Sequence, residues 1–101
     1  MLESFTIETF SEQLNTNFRA RLDETDAIEA ELIEVTDNGS SPDQERFSLV
    51  FRSPRNRPPT QGLYKVEHEK LGEFDLLLVP IRQDKQGLYY EAVFNRLREA
   101  E

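Results

Sequence analysis

The chain has 101 residues and a mass of 11.8 kDa, the size of one ordinary domain. This length excludes a multi-domain enzyme, a TIM barrel and a complete dinucleotide-binding fold. The formal net charge of −8 disfavours attraction of the whole molecule to nucleic acid or to an anionic membrane. The sequence contains no cysteine, which excludes disulfides, thiol catalysis and cysteine metal sites.

The first residues predict one short helix. Thr6 is a candidate N-cap, and Phe10 and Leu14 follow it at helical spacing. Phe5 and Phe10 occupy the two positions of a hydrophobic staple. The polar residues 15–17 then end the helix.

The rest of the chain alternates apolar and polar residues with a period of two, which is typical of half-buried strands. We predict six strands, over residues 18–22, 28–35, 47–52, 64–67, 74–79 and 89–94. The alternation slips at Leu32 and Ile33, which predicts a β-bulge or a bend. The run 76–79 is apolar on both faces, so we expect that strand to be covered on both sides, by the N-terminal helix. Pro80 should then end the strand or sit at an edge or a bulge.

An open six-stranded antiparallel sheet has two exposed edges, and curling of the sheet removes them. We therefore predict a mainly β fold, with a short N-terminal helix followed by a six-stranded antiparallel β-barrel or strongly bent sheet. Residues 1–95 would form a single small domain, and residues 96–101 a charged C-terminal tail.

The charges are distributed unevenly along the chain. Residues 1–45 carry twelve acids and two arginines, whereas residues 46–65 carry five bases and no acid. Residues 66–101 carry eight acids and five bases. The sequence thus predicts an acidic body with one basic loop region.

The arginines Arg52, Arg55 and Arg57 lie on or beside the loop 53–61, which three prolines stiffen. Arginine binds carboxylate and phosphate groups bidentately, and a stiff loop loses little entropy on docking. We therefore predict a contact loop for an acidic protein surface or a polyanion. The alternatives are a role in solubility and pairing with the chain's own acidic strands. Nucleic acid is disfavoured because stacking aromatic residues are missing among the arginines.

His68 is the only histidine of the chain. Catalysis would need a nucleophile or a carboxylate beside it, and metal binding would need two or three further ligands. We expect instead that His68 hydrogen-bonds its own hairpin turn. The loop 37–43 lacks the ligand spacing of a calcium-binding hand, so the sequence predicts no metal site.

Carboxylates are plentiful, but their pattern is typical of a solvated strand face. Glu29, Glu31 and Glu34 stand among apolar residues, whereas a glycosidase needs two acids that face one cleft. We expect Glu91 either to face solvent or to pair with an arginine such as Arg52 or Arg82.

Several segments together resemble a small bacterial domain family of unknown function. They are FSLVFRSP (47–54), QGLY (61–64), EH (67–68), LG (71–72), LLLVP (76–80) and the most specific one, YEAVFN (90–95). The first residues, with LESF (2–5) and Phe10, are also similar, so the resemblance covers nearly the whole chain. Ser53 and Glu69 depart from the Gly and Pro that family members often carry, which leaves the shape of those two loops open. The resemblance implies no known activity and no established catalytic residue, and it points to a structural or accessory role in a phage-tail-like assembly.

The sequence contains no phosphate-binding loop and no HExxH or GxSxG motif, so we predict no catalytic residue, no cofactor and no enzyme activity. The first hypothesis is a non-enzymatic structural or protein-interaction module that binds a protein partner or self-associates. The alternative is a small-molecule-binding β-barrel, suggested by the aromatic content, and the third hypothesis is an enzyme that uses scattered carboxylates. We expect a cytoplasmic protein without a membrane segment, because residues 1–10 do not resemble a signal peptide and the longest apolar stretch is 76–80.

Overall fold

The computed structural model describes residues 5–23, 27–54 and 58–97, with only the backbone of residues 96 and 97. These residues form one short helix and six strands. Their bounds are α1 (Ile7–Ser11), β1 (Asn17–Arg21), β2 (Ala27–Asp37), β3 (Gln44–Ser53), β4 (Gly62–His68), β5 (Gly72–Asp84) and β6 (Gly87–Leu97). The last strand therefore continues three residues beyond its predicted end at Phe94.

The six strands close into a ring in the order β1-β2-β3-β6-β5-β4, and every pairing is antiparallel. The shortest pairing closes the ring, where residues 19–21 of β1 lie against residues 65–67 of β4. Closure leaves no fully open edge strand of the kind that invites aggregation. The predicted fold class, a short helix followed by a six-stranded antiparallel sheet that curls on itself, is confirmed.

Strands β2 and β5, with 11 and 13 residues, form the corners of the ring because each one changes partner along its length. Residues 27–31 of β2 pair with β1, and residues 31–37 pair with β3, with a register shift between Leu32 and Glu34. The bulge predicted from the slipped alternation is confirmed. In β5, residues 72–78 pair with β4 and residues 79–84 pair with β6, with a shift between Pro80 and Arg82. Proline cannot donate a ladder hydrogen bond, so Pro80 beside an irregularity is the placement that its chemistry allows.

Helix α1 starts where the sequence predicts and closes part of the interior. The Thr6 side chain accepts a hydrogen bond from the backbone N–H of Thr9, and the Thr9 side chain accepts one from the N–H of Thr6. The Phe5 and Phe10 rings meet edge to face at 5.7 Å, so the predicted staple is confirmed. Leu14, in contrast, follows the end of the helix and is 37% exposed.

The interior of the ring is filled by side chains that alternate inward along every strand. The core contains the following buried residues: Phe5, Phe10, Phe18, Ala20, Ile28, Ala30, Leu32, Phe47, Leu49, Phe51, Tyr64, Val66, Phe74, Leu76, Leu78, Leu88, Tyr90, Ala92 and Phe94. Phe10 packs against inward-facing rings such as Phe74 and Phe94.

The expectation that β5 is covered on both faces by the helix is wrong. Leu77, in the middle of the apolar run, is 54% exposed on the outer face. Helix α1 cannot cover that residue because its aromatic side chain, Phe10, points into the ring. In the described part of the chain, no helix is long and apolar enough to cross a membrane.

Candidate functional site

An apolar row crosses the outer face of the ring from the residue that follows β1 to strand β6. It consists of Leu22, Leu63, Leu77 and Val93, which are 44%, 62%, 54% and 64% exposed. Leu63 and Leu77 are direct partners in the register of β4 and β5. Leu22 lines one groove together with Leu63, and Val93 lines another together with Leu77. Single exposed apolar residues are ordinary, but a contiguous set is typical of an interaction surface.

The second of these grooves exists because β5 and β6 diverge. β5 pairs with β6 only from Val79 onward, and its preceding residues pair with β4. The resulting opening has a volume of about 380 Å³ and is bounded by Leu77 on one wall and Val93 on the other. Glu91 and Asp75 also line it, so one end of the apolar row carries negative charge.

Charged residues of both signs lie beside the apolar row. Arg21, Lys65 and Asp75 are register neighbours across β1, β4 and β5. Arg21 contacts Glu67 at 3.0 Å. Lys65 and Asp75 take part in no ion pair within the described residues. The row therefore has Arg21 and Lys65 beside it on the β1–β4 side, where Asp23 also lines the groove, and Asp75 and Glu91 on the β5–β6 side.

The single histidine is a buried structural residue at the β4–β5 hairpin. His68 Nδ1 accepts hydrogen bonds from the backbone N–H groups of Lys70 and Leu71, at 3.0 and 3.3 Å. The ring proton is therefore on Nε2, which donates to Thr16 Oγ1 at 2.9 Å. The Thr16 hydroxyl donates in turn to the carbonyl oxygen of Gln13 at 2.7 Å. The expectation that His68 hydrogen-bonds its own turn is confirmed.

Burial lowers the pKa of His68, and the nearby Lys70 acts in the same direction, while Glu69 opposes it. A neutral ring satisfies the two backbone donors at Nδ1, whereas a protonated ring would direct an N–H at them. The chemistry of this site is therefore that of a fixed, uncharged hydrogen-bond link.

Of the three arginines of the predicted contact loop, the structure describes one. Arg52 Nη2 lies 2.9 Å from Glu31 Oε1. The hydrogen bond to Glu31 raises the pKa of Arg52, against the opposing effect of desolvation. Arg55 and Arg57 lie outside the described residues, so the contact loop stays a prediction. Arg52 itself makes the internal pairing that the sequence left open as an alternative.

Other charged side chains on the surface contact neighbouring residues of the same ring, and none of the described ones forms a metal site. Glu67 and Glu73 are register partners, and a hydrogen bond between their carboxyl groups, together with the nearby charge of Arg21, lowers the pKa of Glu67. Arg82 lies 4.1 Å from the ring centre of Tyr89, a cation–π contact. Across residues 5–23, 27–54 and 58–97, no three His, Asp or Glu side chains are grouped so that they could hold a metal ion.

The sequence reasoning missed the apolar row, although a signal for it was present. Leu63 and Leu77 each occupy an outward position of an alternating strand. Leu77 lies between the inward residues Leu76 and Leu78. A continuous run of leucines predicts burial on both faces of a strand. Here the run consists of the inward residues Leu76 and Leu78 and the exposed residue Leu77 between them.

Comparison with known families gives one match. A family model described as "Domain of unknown function (DUF6916)" matches residues 5–94, which is most of the chain. The match covers α1 and all six strands except the end of β6. No curated protein and no solved structure matches the chain.

Proposed function

The chain belongs to the DUF6916 family of domains of unknown function, and we propose that it is a non-enzymatic protein-interaction module whose contact surface is the apolar row. The observation that carries the proposal is the exposure of the register partners Leu63 and Leu77, together with Val93 across the groove from Leu77. Burial of apolar surface contributes about 25 cal/mol per Å² to association. A partner that covers these side chains therefore gains free energy that scattered surface residues would not provide.

The packing of the ring favours this function over the small-molecule-binding alternative. Inward positions are taken by large side chains such as Phe18, Phe51 and Tyr90, all of them at most 2% exposed. The grooves at the apolar row lie on the outside of the ring, where they are open to solvent. Such shallow apolar surfaces suit the side chains of a protein better than an enclosed small ligand.

Two parts of the sequence-based hypothesis remain predictions alongside this one. The loop with Arg52, Arg55 and Arg57 would supply a second, polar contact. Membership in a phage-tail-like assembly rests on the family resemblance alone. Neither is needed for the apolar row to bind a partner.

The test is affinity purification of the tagged chain from cells of its own host, followed by quantitative mass spectrometry. The double variant L63E/L77E places charge in the centre of the apolar row. The matched control is I81E, because Ile81 is also on β5 and is 43% exposed but lines neither groove. Circular dichroism spectra would establish that all variants fold.

We expect the wild-type chain and I81E to retain the same protein, whether an untagged copy or a different chain, at near-equal stoichiometry. L63E/L77E should lose at least nine-tenths of it, on the order of a tenfold weaker affinity. Equal retention by the double variant would show that the contact surface lies elsewhere.

A further inference from the structure

We propose that the partner on the apolar row is a second copy of this chain, related by a two-fold axis that runs parallel to strands β4 and β5. The inference rests on the proposed function, because it names the occupant of the same surface. The inference is carried by the order of apolar and charged residues across the strands. When a second copy presents this order reversed, apolar residues face apolar residues and bases face acids.

The apolar residues match when the row is reversed. A two-fold axis parallel to the strands, lying between the two copies, keeps positions along each strand but inverts the order across the strands. Leu63 of one copy then lies over Leu77 of the other, and this contact occurs twice in the dimer. The two outward leucines of β4 and β5 therefore each face a leucine of the partner copy.

The flanking charges match under the same operation. Lys65 lies two residues after Leu63 on β4, and Asp75 lies two residues before Leu77 on β5. The two charged residues are register partners and lie on the same outer face as the leucines. Reversal places Lys65 of one copy over Asp75 of the other, twice in the dimer. Neither residue belongs to an ion pair within the described chain, so both are available for these contacts.

A second copy fits these charges better than a partner of one sign. A basic partner would match Asp75 and Glu91 but would face Arg21 and Lys65 with like charge, and an acidic partner would have the opposite conflict. Like-charge contacts oppose binding and select against such partners. Repulsion between two chains of net charge −8 is screened beyond about 8 Å at physiological salt, so the local pairs decide the orientation.

The geometry is also one that sheets adopt readily. A two-fold axis along the strands stacks the β4–β5 faces with their strands nearly aligned, which is the common face-to-face arrangement of sheets about 10 Å apart. Leucine and valine side chains fill a layer of that thickness. The dimer would thus continue, between two copies, the kind of packing found in a β-sandwich.

The experiment is sedimentation velocity of the purified full chain from about 1 μM to about 1 mM, the range in which moderate affinities are resolved. We expect the wild type and I81E to form dimers within this range, and L63E/L77E to stay monomeric throughout. A wild-type chain that is monomeric at the highest concentration overturns the proposal. A dimer that persists in L63E/L77E also overturns it.

The charge pair gives a sharper test through mixing. In K65D both positions are acidic, and in D75K both are basic, so each variant alone should dimerise at least tenfold more weakly than wild type. An equimolar mixture should form a 1:1 heterodimer, because each contact between unlike chains then joins opposite charges. Within each chain the two positions keep like charges, so recovery on mixing can arise only between chains. A mixture that associates no better than its components overturns the proposed orientation.

The two proposals can fail separately. If the wild type remains monomeric while the tagged chain still retains a different protein through Leu63 and Leu77, the second-copy proposal fails and the interaction module stands. If L63E/L77E both dimerises and retains its partner like the wild type, the apolar row is not the contact surface and both fail.

Discussion

His68 Nε2 lies 2.9 Å from Thr16 Oγ1, and this hydrogen bond joins two segments that are 52 residues apart in the chain. On one side His68 accepts from the backbone of the β4–β5 turn. On the other side Thr16 donates to Gln13, just after α1. A single uncharged imidazole thus connects the hairpin to the segment that leads from the helix into β1.

This link predicts that stability depends on pH through His68. Burial lowers the pKa of His68 in the folded chain, while the unfolded chain has the ordinary value of about 6.5. Between these two values the unfolded chain binds more protons, so the free energy of unfolding rises with pH. The contribution is fully present above about pH 6.5 and is lost as the pH falls through the folded-state pKa.

The measurement is urea unfolding at a series of pH values from about 5 to about 8, with NMR titration of the ring. The control is H68Q, which keeps a polar side chain but removes the titration, so the carboxylates contribute equally to both curves. We expect H68Q to be less stable by about 1–3 kcal/mol near neutral pH and the gap to narrow as the pH falls. Parallel curves for the two proteins would contradict this account of His68.

Phe10 is predicted to contribute more to stability than any polar residue of α1. It is fully buried, and its ring lies within 6.1 Å of those of Phe5, Phe47, Phe74 and Phe94. Phe10→Ala should therefore cost about 3–5 kcal/mol, since the cavity cannot close without moving several rings. Leu14→Ala is the control, and we expect a change within about 0.5 kcal/mol there because Leu14 is exposed. Chemical denaturation measures both, and similar losses would contradict the role of Phe10.

Two buried tyrosines allow the effect of a satisfied hydroxyl group on stability to be compared with that of an unsatisfied one. The Tyr64 hydroxyl donates to the carbonyl oxygen of Thr60 at 2.6 Å, whereas the Tyr90 hydroxyl is buried without a hydrogen-bond partner among the described residues. Y64F should therefore destabilise the fold by about 0.5–1.5 kcal/mol. Y90F should be neutral or stabilising, because it removes a hydroxyl whose desolvation nothing offsets. A larger loss for Y90F than for Y64F in the same unfolding assay would show that Tyr90 has a partner, such as a buried water.

Local features of this fold could be predicted because short-range chemistry determines them. The Thr6 N-cap, the Phe5–Phe10 staple and the bulge after Leu32 each follow from a few neighbouring residues. The curling of six strands also follows, since an open sheet of this size would expose two edges. The order β3-β6-β5 around the ring could not be predicted, because pairing between distant strands leaves no local signature.

The apolar row could not be separated from the core by residue type alone. Leu76 and Leu78 point inward and Leu77 outward, yet all three are leucines and only the strand register decides which is exposed. The tautomer of His68 could not be predicted from the sequence either, because its hydrogen-bond partner Thr16 lies in a remote segment of the chain. In both cases the missing information is which parts of the chain meet.

The last prediction separates the two roles left open for Arg52. If Arg52 acts mainly through its ion pair, R52A should destabilise the chain slightly, and the same change in an E31Q background should have almost no further effect. Both side chains are about one-third exposed, so the coupling should be small and should decrease with added salt. Unfolding of wild type, R52A, E31Q and the double variant forms the required cycle.

The charge-reversal variant R55E/R57E is the complementary test, since it leaves the Arg52–Glu31 pair intact. If the loop contacts an acidic partner, this variant should lose that partner in co-purification while its unfolding curve stays unchanged. A small, salt-sensitive coupling between Arg52 and Glu31 together with unaltered partner retention by R55E/R57E would instead assign Arg52 to internal pairing and remove the loop as a contact. In that case the apolar row would have to provide the binding energy, and Leu63 and Leu77 would be its measurable source.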